Sequence, residues 1–463
     1  MSIKSYRELL LTAPAHTKPP RLASNGKMNK LHPQDRPAHD WYRFVLSFPP
    51  HLVRDYLRRF EIGPDHNVLD PFCGTGTTPV ECKKHGVPSV GIEAVPMAFF
   101  ASTVKVDWTP EPHGLAEHAS AIASSALREL ESQGIYENRP LCLEERSRYL
   151  ALRSLPPEKT GLLLTNSISP LPLHKTLVLL DHIRRDGDMR YQKHELLALA
   201  KVLVYSISNL NFGPEVGVGA IKEDADVVTC WLTAVHTMAD DLGSLHSMSS
   251  VPTTVRFADS RNVGRVVEPE SIDAVITSPP YPNEKDYTRT TRLESVLLGF
   301  IQSKADLRTL KHSLVRSNTR GVYKDDADDE WVEDNSVVQE IAEAIEERRK
   351  ELGKTSGFER LYARVTKLYF GGMARHLADL RGVLRPGARL AYVVGDQASY
   401  LRVMIRTGTL LAEIAESLGY ERLGIDLFRT RLATATRQLL REEVVLLRWP
   451  GAAHSCSPSP VKE

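Results

Sequence analysis

Short apolar runs alternate along the chain with longer stretches in which apolar residues recur every three or four positions, a pattern that predicts an α/β protein. Strands are expected at about 67–70, 89–93, 253–257, 272–277, 388–395, 423–428 and 443–448, with helical patterns between most of them. The last two flank a loop rich in Arg and Thr and read as a closing antiparallel hairpin. Ahead of them, Leu384-Arg385-Pro386-Gly387 reads as a helix end and a Pro-Gly turn that lead into a buried strand reaching Asp396.

Between the second and third strands, over about 108–250, the periodicity is helical. Segments of roughly His113–Gln133, Lys193–Asn211 and Ala225–Leu242 are broken by Pro- and Gly-bearing stretches at Ser167–Pro172 and Phe212–Gly219. The organisation read from this is a catalytic domain split into 31–107 and 251–450 by a largely helical insert at 108–250, with a second insertion at 285–355. Residues 1–30 carry Lys4, Arg7, Lys18, Arg21, Lys27 and Lys30 against Glu8 alone and read as a basic arm. The Ser- and Pro-rich end, 451–463, reads as a disordered tail.

With 463 residues the chain can bury a sizeable core, which excludes a small scaffold. A net charge of only +1 means that any nucleic-acid binding must come from a local patch. The five cysteines, Cys73, Cys82, Cys142, Cys230 and Cys456, include no Cys-x-x-Cys pair, which argues against zinc and against a disulfide framework and points to a reducing compartment. No apolar stretch approaches the ~18 residues of a membrane span, and no signal segment is visible, so a cytoplasmic enzyme without a bound metal is expected.

The chemistry concentrates at strand ends. The run Ile272–Thr277 stops on Ser278-Pro279-Pro280-Tyr281, where two prolines remove two ladder donors and fix φ near about −65°. That frozen corner holds a hydroxyl and a carbonyl beside an aromatic ring, an array suited to a planar base bearing an amine. About 200 residues earlier, Val68-Leu69-Asp70-Pro71-Phe72-Cys73-Gly74-Thr75-Gly76-Thr77-Thr78 runs from a strand through a small-residue loop into a helix. Gly74 and Gly76 allow close backbone approach to a ligand, and Thr77 and Thr78 can cap the helix. Pro79 stands where a pyrophosphate loop would want a third glycine. Glu93 ends the next strand, 23 residues after Asp70, where an acid commonly grips ribose hydroxyls.

Taken in this order, DPFCGTGTT, the Glu of GIEAVP, the Asp of FADSR and TSPPY resemble the amino-methylating DNA methyltransferases that use S-adenosylmethionine, with the cofactor motif ahead of the catalytic one. The resemblance implies a Rossmann-like class I fold with a seven-stranded mixed sheet. It implies a cofactor site of Asp70, Phe72, Gly74, Gly76, Thr77, Glu93 and Asp259, with Phe72, Gly74 and Gly76 along the cofactor, Glu93 on the ribose and Asp259 near the adenine. The segment His39–Pro50, with Phe48, is similar to the family's N-terminal cofactor element. Ser278 to Tyr281 would form the catalytic loop. In this family an insert usually chooses the DNA sequence, which makes 108–250 the candidate target-recognition region.

An exocyclic amine is a poor nucleophile, and acceptors on its two hydrogens would restore its lone pair as the methyl arrives. The Ser278 hydroxyl and the Pro279 carbonyl are the candidate acceptors, and Tyr281 would stack on a base rotated out of double-stranded DNA. Within the resembled family a Ser-initiated loop leans towards cytosine N4 and an Asp- or Asn-initiated loop towards adenine N6, and a serine that accepts from the amine while donating to the ring nitrogen gives that lean physical sense. From Lys285 to Arg320 eight basic residues face three acidic ones, so Lys285, Arg289 and Arg292 are candidate DNA contacts. The acidic run Asp325–Glu330 would face away from phosphates or cover the basic stretch when DNA is absent. A cognate restriction enzyme is a candidate partner. An RNA amine methyltransferase and an inactive DNA-binding scaffold subunit remain the alternatives of other classes.

Overall fold

The computed structural model describes residues 31–43, 47–137, 152–212, 215–283, 285–432 and 439–451. The basic arm, most of the Ser- and Pro-rich end and Phe44–Leu46 of the N-terminal element lie outside the described residues.

Nine strands are found among the described residues: β1 Val68–Asp70, β2 Ser89–Glu93, β3 Leu210–Phe212, β4 Val216–Val218, β5 Thr253–Phe257, β6 Ile272–Thr277, β7 Leu384–Gly395, β8 Glu421–Leu432 and β9 Leu439–Arg448. Seven form one sheet in the order β5-β2-β1-β6-β7-β9-β8, and β3 and β4 make a separate hairpin. Only β9 runs antiparallel within the large sheet. This is the mixed seven-stranded sheet of the Rossmann-like class I methyltransferase fold. Strand order reverses between β1 and β6, which pair in parallel, and open α/β sheets bind ligands at the carboxyl ends of strands at such a switch point.

The sheet is buried on both faces because its central strands are apolar at successive positions. Leu69, Val275, Leu390, Tyr392, Val394, Val445 and Leu447 face the helices Ser336–Glu351, Tyr362–Leu380 and Thr407–Ser417. Their neighbours Val68, Ala274, Ile276, Ala391, Val393, Val444 and Leu446 pack with Leu52, Val53, Tyr56 and Leu57 of the helix Pro50–Arg59.

The stretch between β2 and β5 is largely helical, with Pro112–Ser132, Pro170–Arg185, Gln192–Val202 and Val227–Leu245 as its main elements. Its core is continuous with Trp41 and with Met97, Ala101 and Val104 of the helix Pro96–Lys105. Two expectations change. The helix expected to reach Asn211 gives way, after a wide π-type turn over Leu203–Ile207, at Asn209. The Asn209 side chain donates to the Asn166 carbonyl (2.9 Å) and the Ser169 hydroxyl (3.1 Å) and accepts from the Lys222 amide (2.8 Å), which turns the chain into the β3–β4 hairpin. In addition, Leu384–Gly387 belongs to β7 and does not end a helix. The strand passes a register shift there, with Gly387 at φ +91° donating its amide to the Trp449 carbonyl (2.7 Å).

Candidate active site at the switch point

The loop after β1 closes on itself through the Gly76 amide and the Cys73 carbonyl (2.7 Å). Gly74 and Gly76 have φ of +53° and +84°, and a Cβ on Gly76 would lie 3.0 Å from that of Ser102, so only glycine fits against the helix Pro96–Lys105. The Cys73 thiol lies where a Cβ on Gly91 would stand, at 2.9 Å. Its burial pushes that thiol well above its usual range, which makes it a packing group. Thr78, in the helix Thr77–Lys84, donates to the Ile276 carbonyl of β6 (3.0 Å) and ties the two strand ends together.

Glu93 bridges the ends of β1 and β2. One carboxylate oxygen accepts from the Gly74 amide (2.9 Å), the other from the Val95 amide (2.7 Å), and burial pushes the acid up to about 7. Asp70 is fully buried. Its Oδ1 accepts from the Thr277 hydroxyl (2.6 Å) and the Phe72 amide (3.1 Å), and its Oδ2 has no hydrogen-bond partner. Burial holds this acid at about 6.

At the end of β6 the Ser278 hydroxyl donates to the Val393 carbonyl of β7 (3.1 Å). The Tyr281 ring lies over Gly395, where a Cβ would come within 3.0 Å of Cε2, and burial pushes its phenol far up.

A cavity of about 630 Å³ unites the two halves. Phe48, Phe72, Gly74, Thr77 and Glu93 line it together with Ser278, Pro279, Pro280, Tyr281 and Lys285. Asp70 and Gly76 support the wall from behind. Asp259, expected beside the adenine, is not in the wall. Its carboxylate takes three bonds of 2.6–3.1 Å from the Arg261 guanidinium, and its neighbours Ala258 and Ser260 line the cavity instead.

Part of the basic stretch is paired within the protein. Arg292 donates to the Thr288 carbonyl and hydroxyl (both 3.0 Å) and to the Leu162 carbonyl (3.4 Å), away from the cavity wall. Arg289 lies 3.8 Å from Glu215, beside β4. Lys311 pairs with Asp286 at 3.0 Å, and Arg316 grips Asp326. Asp328 pairs with Arg261 and Arg375. Two members of the acidic run, Asp326 and Asp328, are thus internal partners for the buried guanidiniums of Arg316 and Arg261.

Three features of the site carry no motif. His376 bridges the Ser260 carbonyl and the Tyr392 hydroxyl, each at 2.7 Å, and Phe72 packs on it edge to face at 4.9 Å. The bond to a carbonyl fixes Nδ1 as the donor, and burial lowers the imidazole to about 4, so it is neutral. Gly395 makes room for Tyr281. Arg429, Arg431 and Glu442 reach the wall from β8 and β9, whose ends outrun the expected 423–428 and 443–448. Among the described residues no three His, Cys, Asp or Glu side chains gather as a metal site, and no helix is long and apolar enough to cross a membrane.

Residues 18–99 match the family model described as DNA methylase. The chain is 26% identical to the Type II methyltransferase M.BsoBI of Geobacillus stearothermophilus, over 90% of this chain and 85% of that one. It is 24% identical to the Type II methyltransferase M.AvaI of Nostoc sp., over 90% and 87%. Among solved structures, the rRNA methyltransferase aviRa from Streptomyces viridochromogenes aligns over 93% of this chain and 94% of its own at 11% identity, but its TM-score of 0.30 is too low to bear on function or fold. The matches along the chain and the motifs at the carboxyl ends of β1, β2 and β6 make this protein similar to the amino-methylating DNA methyltransferases, which work with S-adenosylmethionine.

Proposed function

We propose that this protein methylates the exocyclic amine of a base turned out of double-stranded DNA, with cytosine N4 as the position. The observation that carries this reading is the bond from the Ser278 hydroxyl to the Val393 carbonyl. With its proton committed there, the serine oxygen offers lone pairs only, and beside the Pro279 carbonyl it can accept from an amine. The same bond withdraws the expected donation from serine to a ring nitrogen, so it supports methylation of an amine alone, and the cytosine preference rests on the lean of the resembled family for a Ser-initiated loop.

The donor set of the other half suits S-adenosylmethionine. Phe72 and Phe48 offer flat apolar surface, the Gly74 backbone allows close approach, and the Glu93 carboxylate keeps free lone pairs for two ribose hydroxyls. When bound, that group supplies an electrophilic methyl on a sulfonium. The residues of this chain do the rest: Asp70, through Thr277, sets the catalytic corner; Ser278 and Pro279 strip delocalisation from the amine; Tyr281 stacks on the base. Lys285 in the cavity wall, with Arg289 beyond it near Glu215, serves as a DNA contact, and the helical insert carries target recognition, a role supported by Glu215 lining the cavity beside the β3–β4 hairpin. Self-protection beside a restriction enzyme fits such an activity.

The test is mass-spectrometric nucleoside analysis of plasmid DNA from a methylase-free host expressing the wild type or Ser278→Ala. N4-methylcytosine with wild type alone is the expected result. N6-methyladenine would overturn the base, and the absence of any modified nucleoside would overturn the activity.

A further inference from the structure

The β8–β9 pair projects past the other strands on the side where β6 delivers the catalytic loop, and it brings charge into the cavity wall beside Tyr281. Glu442 is nearly buried, and the Gly395 opposite it on β7 leaves the gap into which Glu442 and Tyr281 pack. Its carboxylate accepts from Arg429 Nε and lies 3.6 Å from Arg431 Nε. Lys285, just past the catalytic loop, lines the same cavity. The balance is three cations against one carboxylate.

These cations are not equally satisfied. Arg429 is one-fifth exposed and bonded to Glu442, whereas the Arg431 side chain is 42% exposed, with Nη2 only 3.4 Å from the Asp396 carbonyl and from Gln397 Oε1, both long contacts. Burial and the neighbouring Arg431 both lower the Lys285 ammonium from its usual range, the cost expected of a cation held without a full counter-charge. A flipped base is neutral, and the surplus therefore matches the one group that must accompany it into the mouth, the backbone phosphate that rotates with the nucleotide.

Resting on the function proposed above, we infer that Arg431 and Lys285, with Arg429 and Glu442 as their brace, bind a phosphodiester flanking the extruded nucleotide. The site lies on β8 and the catalytic loop, apart from the helical insert, and it holds the nucleotide without reading its base.

The experiment uses the full chain and a labelled duplex with one mismatched cytosine, whose extrusion costs less than that of a paired base. The duplex is made with a normal phosphate 5′ of that cytosine or with a neutral methylphosphonate there. Equilibrium binding is measured across salt concentrations for wild type, Arg431→Gln, Arg431→Lys and Lys285→Gln. With wild type the neutral linkage should weaken binding about tenfold. Arg431→Gln and Lys285→Gln should each weaken binding to the normal duplex by a similar factor, lower the salt slope by about one, and show little further loss on the neutral duplex. Arg431→Lys should retain most of the affinity, because a point charge suffices. Glu442 keeps Arg429 as its partner in every variant, and melting temperatures confirm folding. Independent, multiplying losses from the side-chain and phosphate changes would overturn the inference, as would a loss in Arg431→Lys equal to that in Arg431→Gln. An unmethylated plasmid with this coupling intact would overturn the activity and leave the phosphate site standing.

Discussion

The Thr277 hydroxyl donates to Asp70 Oδ1 at 2.6 Å, joining the carboxyl ends of β6 and β1. Asp70 opens the cofactor loop and Thr277 precedes Ser278, so one hydrogen bond fixes the catalytic corner relative to the cofactor wall. Thr277→Val keeps the shape and removes the donor. Stability should fall by about 1–3 kcal/mol, as for the loss of one buried hydrogen bond to a carboxylate that keeps the Phe72 amide, and kcat by about tenfold through a displaced Ser278, with cofactor affinity little changed. Denaturant unfolding, calorimetry and turnover assays separate the three.

Cofactor binding should depend on pH through Glu93. Its carboxyl is pushed up to about 7 in the free protein, so it is mostly protonated at pH 6 and mostly ionised at pH 8. If only the carboxylate accepts both ribose hydroxyls, S-adenosylmethionine should bind roughly tenfold more tightly at pH 8 than at pH 6. Isothermal calorimetry at the two pH values checks this, and Glu93→Gln should bind weakly and without the pH dependence.

Asp70 gives a stability effect of its own. Its folded-state acid, at about 6, lies above the unfolded value, so the folded state holds the proton more tightly. Its contribution is therefore full below about pH 4 and is lost as pH rises through 6, a difference of about 2–3 kcal/mol. The stability difference between Asp70→Asn and wild type should shift in favour of the variant by that amount between pH 4 and pH 7 in urea titrations.

Gly395→Ala should slow turnover without affecting cofactor affinity. A Cβ there would stand 3.0 Å from Tyr281 Cε2 and 3.4 Å from Glu442 Cγ, so the ring must shift. A stability loss of about 1–3 kcal/mol is expected from the overpacking. Unchanged kcat in a folded variant would show that the ring position does not matter.

His376→Asn should act on the opposite wall. Losing the bridge between the Ser260 carbonyl and the Tyr392 hydroxyl frees the segment that faces the cofactor side. KM for S-adenosylmethionine should rise several-fold while kcat at saturation stays near wild type.

The strand ends were readable because buried parallel strands are apolar throughout and stop on residues that cannot continue a ladder: Pro71 after β1, Pro279 after β6. The tips of β8 and β9 were not. They carry Arg429, Arg431, Arg441 and Glu442, so the apolar pattern fades while the hydrogen-bond ladder continues, with Arg429 and Glu442 themselves paired in register. Charge counting could not foresee where the Arg292 side chain goes, for a related reason. A guanidinium's destination depends on carbonyls brought from elsewhere in the chain, here that of Leu162. The Asp259 carboxylate is held by a guanidinium two residues away, a pairing that the strand-end pattern does not reveal. Gly395 was visible only as one more residue of a buried strand, since the ring that requires it comes from β6's loop.

The core that runs without a break from Trp41 through the helix Pro96–Lys105 into the insert bears on how such a protein can change over generations. Trp41 donates to Asp241 at 2.7 Å, and the fully buried Trp108 and Trp231 belong to the same cluster. Replacing the insert wholesale by that of a relative would strip apolar cover from the helix behind the cofactor loop. With target recognition on the insert, as proposed above, a new preference should therefore arise by point changes on the insert's outer surface and hairpin, or by exchange of the whole chain, and not by recombination at the insert's borders.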